Sequence, residues 1–224
     1  MRSKICGINS LEDVNVVLKS GAHALGFLVG ITHLAEDKVS NEEAKTLIEG
    51  LPPYVSSVAV THLTNVNEII ELVKYLGVTT VQIHDYIPPE AVKVVRDMLQ
   101  CVKIIKAVHV VDEDALAVAK SFVPYVDAIL LDSRTNERLG GTGMTHNWNI
   151  SAKIVQAVKK PVILAGGLTS DNVYEAVIKV KPFGVDVNSG VETKYKKDFL
   201  KVSKFISNAA KGECNVYELD TKTM

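Results

Sequence analysis

The chain is poor in cysteine. Only Cys6, Cys101 and Cys214 occur in 224 residues, with no paired spacing among them. That excludes a disulfide framework and fits a reducing, cytoplasmic setting, where an isolated cysteine is by default a small buried hydrophobe. Neither charge is in excess: 25 Lys and Arg are interspersed with 26 Asp and Glu, for a net charge of −1. No basic face is left for nucleic acid. No apolar run reaches the ~18 residues that a membrane span needs. The opening Met1-Arg2-Ser3-Lys4-Ile5-Cys6-Gly7 leaves no room for a signal peptide before the first apolar strand. Linkers are missing too, with no Gly/Ser tract, proline-rich run or low-complexity block to divide the chain.

What is present is a regular alternation. Hydrophobic residues make up 47% of the chain, enough for a large core. Short β-branched runs alternate with longer amphipathic ones. Eight candidate strands are Lys4–Cys6, Ala24–Val29, Ser57–Thr61, Thr79–Ile83, Lys103–Ala107, Asp127–Leu131, Pro161–Ala165 and Gly184–Val187. Most are continuous apolar runs, as parallel strands covered on both faces are. Between them lie helical stretches with start signals: Ser10 before Leu11, Ser40 with Glu43 as a capping box, Asn65, and the prolines at 88 and 89. The others are expected at Asp112–Ser121, Ser151–Val158, Ser170–Ile178 and Asp198–Ala210. Eight strands alternating with eight helices predict a single α/β domain, a (β/α)8 TIM barrel over residues 1–212. The polar residues 213–224 read as a poorly ordered tail. An open doubly wound sheet is the alternative, but no Gly-x-Gly-x-x-Gly follows the first strand.

In such a barrel the chemistry sits where the strands end. Gly166-Gly167 and Asn188-Ser189-Gly190 follow strands seven and eight, the common phosphate position. Glycine lets backbone N–H groups approach an anion closely. Gly141 and Gly143, in Gly140-Gly141-Thr142-Gly143, could close over the same group. Turn geometry alone is the plainer reading of any one pair. The expected ligand is therefore a phosphorylated small molecule. Cys6 and Asp132 end strands one and six, a thiol and a carboxyl able to act on one bound sugar as base and acid. Lys4 lies two residues before Cys6 and so on the same side of the strand, where a cation favours a thiolate. Core filling for Cys6 and an ion pair with Arg134 for Asp132 are the plainer alternatives. His62, His84 and His109 follow three neighbouring strands. They could contact substrate or, less simply, bind a divalent metal. The run Lys194–Asp198 reads as a solvated loop that attracts anions, and Trp148 as an anchor for the sixth helix.

Several motifs together carry a resemblance. They are Lys4-Ile5-Cys6-Gly7-Ile8, Gly26-Phe27, Leu51-Pro52-Pro53, Val81-Gln82-Ile83-His84, Ile105-Lys106-Ala107, Leu130-Leu131-Asp132, Gly140–Gly143, Ala165–Leu168 with Asn172-Val173, and Gly184–Glu192. From Lys4 to about Lys211 the sequence resembles the phosphoribosylanthranilate isomerase family. The resemblance implies a cofactor-independent, metal-free Amadori rearrangement in tryptophan biosynthesis, by a monomer or homodimer. It makes Asp132 the general acid that opens the furanose ring to a Schiff base. Cys6 becomes the general base that removes the C2′ proton of the ribose, and the enolamine then tautomerises to the ketone.

The sequence departs from the family at the mouth. The position aligned with the family's carboxylate-binding arginine is Asp37. Lys38 or His33 is the candidate substitute, although lysine cannot reproduce a forked bidentate contact. After the third strand Thr61-His62-Leu63-Thr64-Asn65 replaces a Phe-Val-Asn-like segment. Met144 and His146-Asn147 replace the family's lysine and Phe-Asp pair in the sixth loop. The alternatives to the isomerase are a paralogue acting on another phosphorylated aminosugar, a metal-dependent barrel enzyme, and a barrel that binds phosphate ligands without catalysis.

Overall fold

Side chains alternate across each strand, so every strand of a closed sheet sends one set of residues to the axis and the other to the helices. The computed structural model describes residues 1–32, 35–133 and 145–222, with side chains described to residue 216. His33, Gly141 and Gly143 lie outside the described residues. Eight strands form the ring: β1 (Arg2–Ile5), β2 (Ala24–Leu28), β3 (Ser56–Thr61), β4 (Thr80–Ile83), β5 (Lys103–His109), β6 (Ala128–Asp132), β7 (Val162–Leu164) and β8 (Gly184–Val187). The helices are α1 (Leu11–Lys19), α2 (Asn41–Glu49), α3 (Val66–Leu76), α4 (Pro89–Met98), α5 (Ala115–Phe122), α6 (Trp148–Ala157), α7 (Val173–Val180) and α8 (Phe199–Lys222). A small hairpin, β9 (Glu192–Thr193) and β10 (Lys196–Lys197), precedes α8.

The strands pair in chain order, all parallel, and β8 pairs back to β1, with Lys4 opposite Asp186 and Ile5 opposite Val187. This closure is the expected (β/α)8 barrel and replaces the open-sheet alternative. The outward set, which includes Ile5, Leu25, Phe27, Ile83, Ile104, Ile129 and Leu131, joins the helices in one large core. The axial set is split. Ile105, Ala107, Ala128, Leu130 and Ala165 pack on one side of the interior, and Cys6, Val58 and Val60 on the other.

Helix starts follow the capping signals. Ser10 accepts from the Asp13 N–H at 3.2 Å. Ser40 and Glu43 form the reciprocal capping box, at 3.2 and 2.9 Å. Gly77 ends α3 in the left-handed region at φ +65°, where a side chain would be strained. Helix α6 begins at Trp148 rather than Ser151, because Asn147 Oδ1 accepts from the Asn149 N–H at 3.0 Å and starts the turn earlier.

Two expectations are corrected. The polar stretch from Glu213 continues α8 to Lys222 instead of forming a tail. Gly212 makes the approach possible, since a Cβ there would come within 3.1 Å of the Tyr174 carbonyl on α7. Beyond it, Glu213 meets the N-terminal ammonium of Met1. The charge run 194–198 is not simply solvated either: Lys197 is only 5% exposed.

Phe205, fully buried on α8, ties that helix to the barrel. Phe205→Ala is expected to cost ~3–5 kcal/mol, read as a lower urea midpoint with an unchanged slope. A cost below about 1 kcal/mol would mean that α8 packs far more loosely than described.

Candidate active site

The polar members of the axial set collect at the C-terminal ends of the strands. Lys4 and Cys6 share the inner side of β1, as parity requires. Their atoms converge on Gly26 of β2, where a Cβ would lie 2.9 Å from Cys6 Sγ and 3.1 Å from Lys4 Nζ. Across the barrel seam, Lys4 Nζ stands 2.9 Å from Asp186 Oδ2, with both side chains almost fully buried. Burial opposes the Lys4 charge, but Asp186 and Cys6 outweigh it, and its pKa sits above the ordinary lysine value. Burial pushes the Cys6 thiol up; Lys4 opposes this, Asp186 adds to it, and Lys197 opposes it again. The thiol therefore holds its proton in the unliganded protein.

Asp132 faces the same ion pair from β6. Burial pushes its pKa up to about 7; the Ser133 N–H, donating to Oδ1 at 2.7 Å, pulls it down, Asp186 raises it and Lys4 lowers it. Gly166 is glycine for this reason, since a Cβ at its φ of +78° would sit 2.9 Å from Asp132 Oδ1 and 2.7 Å from Ser133 Oγ. His84 Nε2 lies 3.4 Å from Asp132 Oδ2. Burial first, then His109, His62, Lys106 and Lys4, keep the His84 imidazole neutral by lowering its pKa well below the usual value. The Gln82 amide meets Nδ1 at 3.1 Å. With its N–H donating there, the ring proton is on Nε2, facing the carboxyl. A carboxyl kept protonated near neutrality is suited to general-acid work.

The three histidines do come together. His62 stacks on His84 with ring centroids 5.4 Å apart, and His109 meets His84 edge-on at 5.2 Å. The His109 ring N–H also faces the His84 carbonyl at 3.2 Å. This is a row of rings, and among the described residues no group of three or more His, Cys, Asp or Glu is arranged to hold a metal ion. Behind the row, on the outward side of β5, the Lys106 ammonium donates to the carbonyls of Ile83 (3.3 Å), Asp85 (2.9 Å) and Ala107 (2.6 Å). It thereby fixes the turn that carries His84, although burial lowers its pKa to about 8.

The glycine loops after β7 and β8 press on each other. Gly166 and Gly167 both have positive φ, and a Cβ on Gly190 would overlap the Leu168 carbonyl. Asn172 binds the first loop from both sides, accepting from the Thr169 N–H at 2.8 Å and donating to the Gly167 carbonyl at 2.9 Å. In the second loop the Asn188 amide is already engaged: its Oδ1 accepts from Lys197 Nζ at 2.7 Å and its Nδ2 donates to Asp37 Oδ2 at 2.8 Å. In the segment after β2, Asp37 therefore turns to the eighth loop, while Lys38 bridges back to Leu28 with its side chain exposed.

Sequence reasoning passed over Asp186, Gln82 and Lys197. Parity alone would have placed Asp186 beside Asn188, and Gln82 beside His84. Nothing in the run Lys194–Asp198 distinguishes Lys197 from its neighbours, because its burial is tertiary.

A family model for N-(5'-phosphoribosyl)anthranilate (PRA) isomerase matches residues 3–208. The chain is 41% identical to N-(5'-phosphoribosyl)anthranilate isomerase 2 of Methanosarcina mazei, over 93% of this chain and 94% of that protein. Among solved structures, phosphoribosyl anthranilate isomerase from Thermotoga maritima superposes with a TM-score of 0.83 at 34% identity, over 94% of this chain and 99% of that one. Another isomerase, solved with reduced 1-(o-carboxyphenylamino)-1-deoxyribulose 5-phosphate, gives 0.80 at 32%, over the same shares of both chains.

Two stability effects follow from the charges. Lys4→Met leaves Asp186 buried without its cation and is expected to cost ~3–5 kcal/mol, measured by urea unfolding; an unchanged midpoint would remove the ion pair from the list of supports. Asp132 binds its proton more tightly folded than unfolded. Its contribution is full below its unfolded value and is lost as pH rises through about 7. Asp132→Asn lacks this loss, so it should gain on the parent chain by up to about 4 kcal/mol between pH 4 and pH 8. Parallel stability curves would mean that Asp132 is an ordinary carboxylate.

Proposed function

The chain belongs to the N-(5'-phosphoribosyl)anthranilate isomerase family, and from that premise we propose how its residues divide the reaction. It is an isomerase that converts N-(5'-phosphoribosyl)anthranilate to its 1-deoxyribulose 5-phosphate product in tryptophan biosynthesis. The relatives do not favour the alternative aminosugar.

In our reading Asp132 donates its proton to the furanose ring oxygen, and the ring opens to a Schiff base. Cys6 then takes the C2′ proton, and the enolamine tautomerises to the ketone. The observation that carries this assignment is that one buried ion pair, Lys4–Asp186, acts electrostatically on both groups. Lys4 stabilises the thiolate that the base step needs. Asp186 keeps the Asp132 proton in place for the acid step. Neutral His84 aligns Asp132 without competing for that proton. Gly166, Gly167, Ser189 and Gly190 offer backbone N–H groups to the phosphate, with Gly141 and Gly143 in the sixth loop as further donors. The backbone of Asn188 belongs to the same cradle. His62, His84 and His109 line the wall along which the anthranilate ring lies, and Lys38 is the cation for its carboxylate; His33, outside the described residues, is the other candidate for that contact. No cofactor or metal enters this scheme. The three free cysteines support a cytoplasmic setting, and we read the working form as a monomer or homodimer. Among the described residues no helix is long and apolar enough to cross a membrane.

The acid's pKa lies below the base's, so the productive arrangement (thiolate with neutral carboxyl) is a minor member of the singly deprotonated population. kcat/KM should therefore rise with pH through about 7, as the pair loses its first proton. It should fall again only above the ordinary thiol range. Loss of substrate fluorescence on purified protein gives this profile. Cys6→Ala and Asp132→Asn should each lower kcat by ~100-fold or more. Full turnover by either variant would overturn its assigned role.

A further inference from the structure

The strongest group of contacts not used by the reaction runs sideways from the phosphate loop. Lys197 and Glu192 form an ion pair on the β9–β10 hairpin, with side-chain exposures of 1% and 9%. The Lys197 backbone N–H is held by Asp13 Oδ1 at 3.0 Å, so the hairpin is fastened to α1. The Lys197 ammonium reaches Asn188 Oδ1, and the Asn188 Nδ2 reaches Asp37 Oδ2. A lysine can only donate and a carboxylate can only accept. The amide between them therefore has one permitted orientation, set by the buried lysine. Gly7 completes the arrangement. A Cβ there would overlap Asn188 Oδ1 and lie 2.8 Å from Asp37 Oδ2, so only glycine, at φ +71°, leaves room beside Cys6.

We propose that Asn188 is a polarity relay through which Lys197 pins the Asp37 carboxylate over Gly7, so that segment 35–40 is clamped to the phosphate loop on the Cys6 side of the mouth. Asp37 then acts as a specificity-determining positioning residue. It holds the sequence position aligned with the family's arginine, and its Oδ2 is engaged by the Asn188 amide at 2.8 Å. The amine half of the substrate is thereby read by a segment whose placement depends on a lysine that touches no substrate. The inference deepens the proposed reaction and rests on it for substrate affinity, but not for the clamp itself.

The test uses the full chain and two readouts. One is KM and kcat for phosphoribosylanthranilate. The other is the rate of tryptic cleavage after the exposed Lys38, whose bond to Val39 is protected because the Val39 N–H donates to the Leu28 carbonyl at 3.0 Å. Asp37→Ala, at a half-exposed position where folding is safe, should speed that cleavage by about tenfold or more. It should raise KM by a similar factor and change kcat by less than about threefold, the scale of one charge-assisted hydrogen bond. Asn188→Asp keeps the lysine contact but sets two carboxylates face to face, and should do the same. Combining it with Asp37→Asn reverses the donor and acceptor, and should restore both protection and KM to within about threefold of the parent. Failure of the double variant to recover protection would overturn the relay. Recovery of protection without recovery of KM would overturn the specificity role and make Asn188 a direct phosphate ligand. If the parent chain does not turn over the substrate and the protection pattern still holds, the reaction falls and the clamp stands.

Discussion

The buried pair Lys4–Asp186 is the constraint on which the rest of the molecule depends. It lies in the seam where the first strand meets the last, so the register that closes the barrel also places the two charges opposite each other. Neither charge is tolerable alone in that interior. A slip of one residue by either strand would turn that strand's charge to the helix layer and leave the other unpaired at the axis. The ion pair thus specifies the closure, and the closure positions it between the thiol and the carboxyl.

That position explains how one small space keeps an acid and a base apart. Cys6 and Asp132 are equally buried, each 7% exposed, and desolvation raises both pKa values. What separates them is the nearest member of the pair and its surroundings. Cys6 has an ammonium at its side. Asp132 has a backbone N–H on one oxygen and a neutral imidazole near the other. In the proposed reaction the work is therefore divided by fixed charges in β1 and β8, with the histidine row and Lys106 packed behind Asp132.

Much of this was legible from residue order. The continuous apolar runs, the caps at Ser10, Ser40 and Asn65, and the glycines after strands seven and eight are local signals, and local signals set elements and their ends. Cys6 and Asp132 were legible because a parallel barrel collects its chemistry where strands stop. Lys197 was not, because a lysine among lysines has no local mark of burial; only the docking of the hairpin on α1 distinguishes it. The end of α8 was missed for a similar reason. Its residues are polar, and what holds them helical is a glycine-mediated approach to α7 and a contact with the chain's first residue. Asp37 looked like a lost arginine in the sequence, and in space it is an acceptor with a partner of its own.

The seam has a consequence for how the molecule comes into being. On the ribosome Lys4 is among the first residues to emerge, and Asp186 follows only after seven of the eight strands have been made. Throughout that interval Lys4 lacks the partner that stands opposite it in the closed ring. The final strand supplies both the counter-ion and the edge that seals the ring. A chain that stops short of β8 therefore lacks the closure and the counter-ion of Lys4 together.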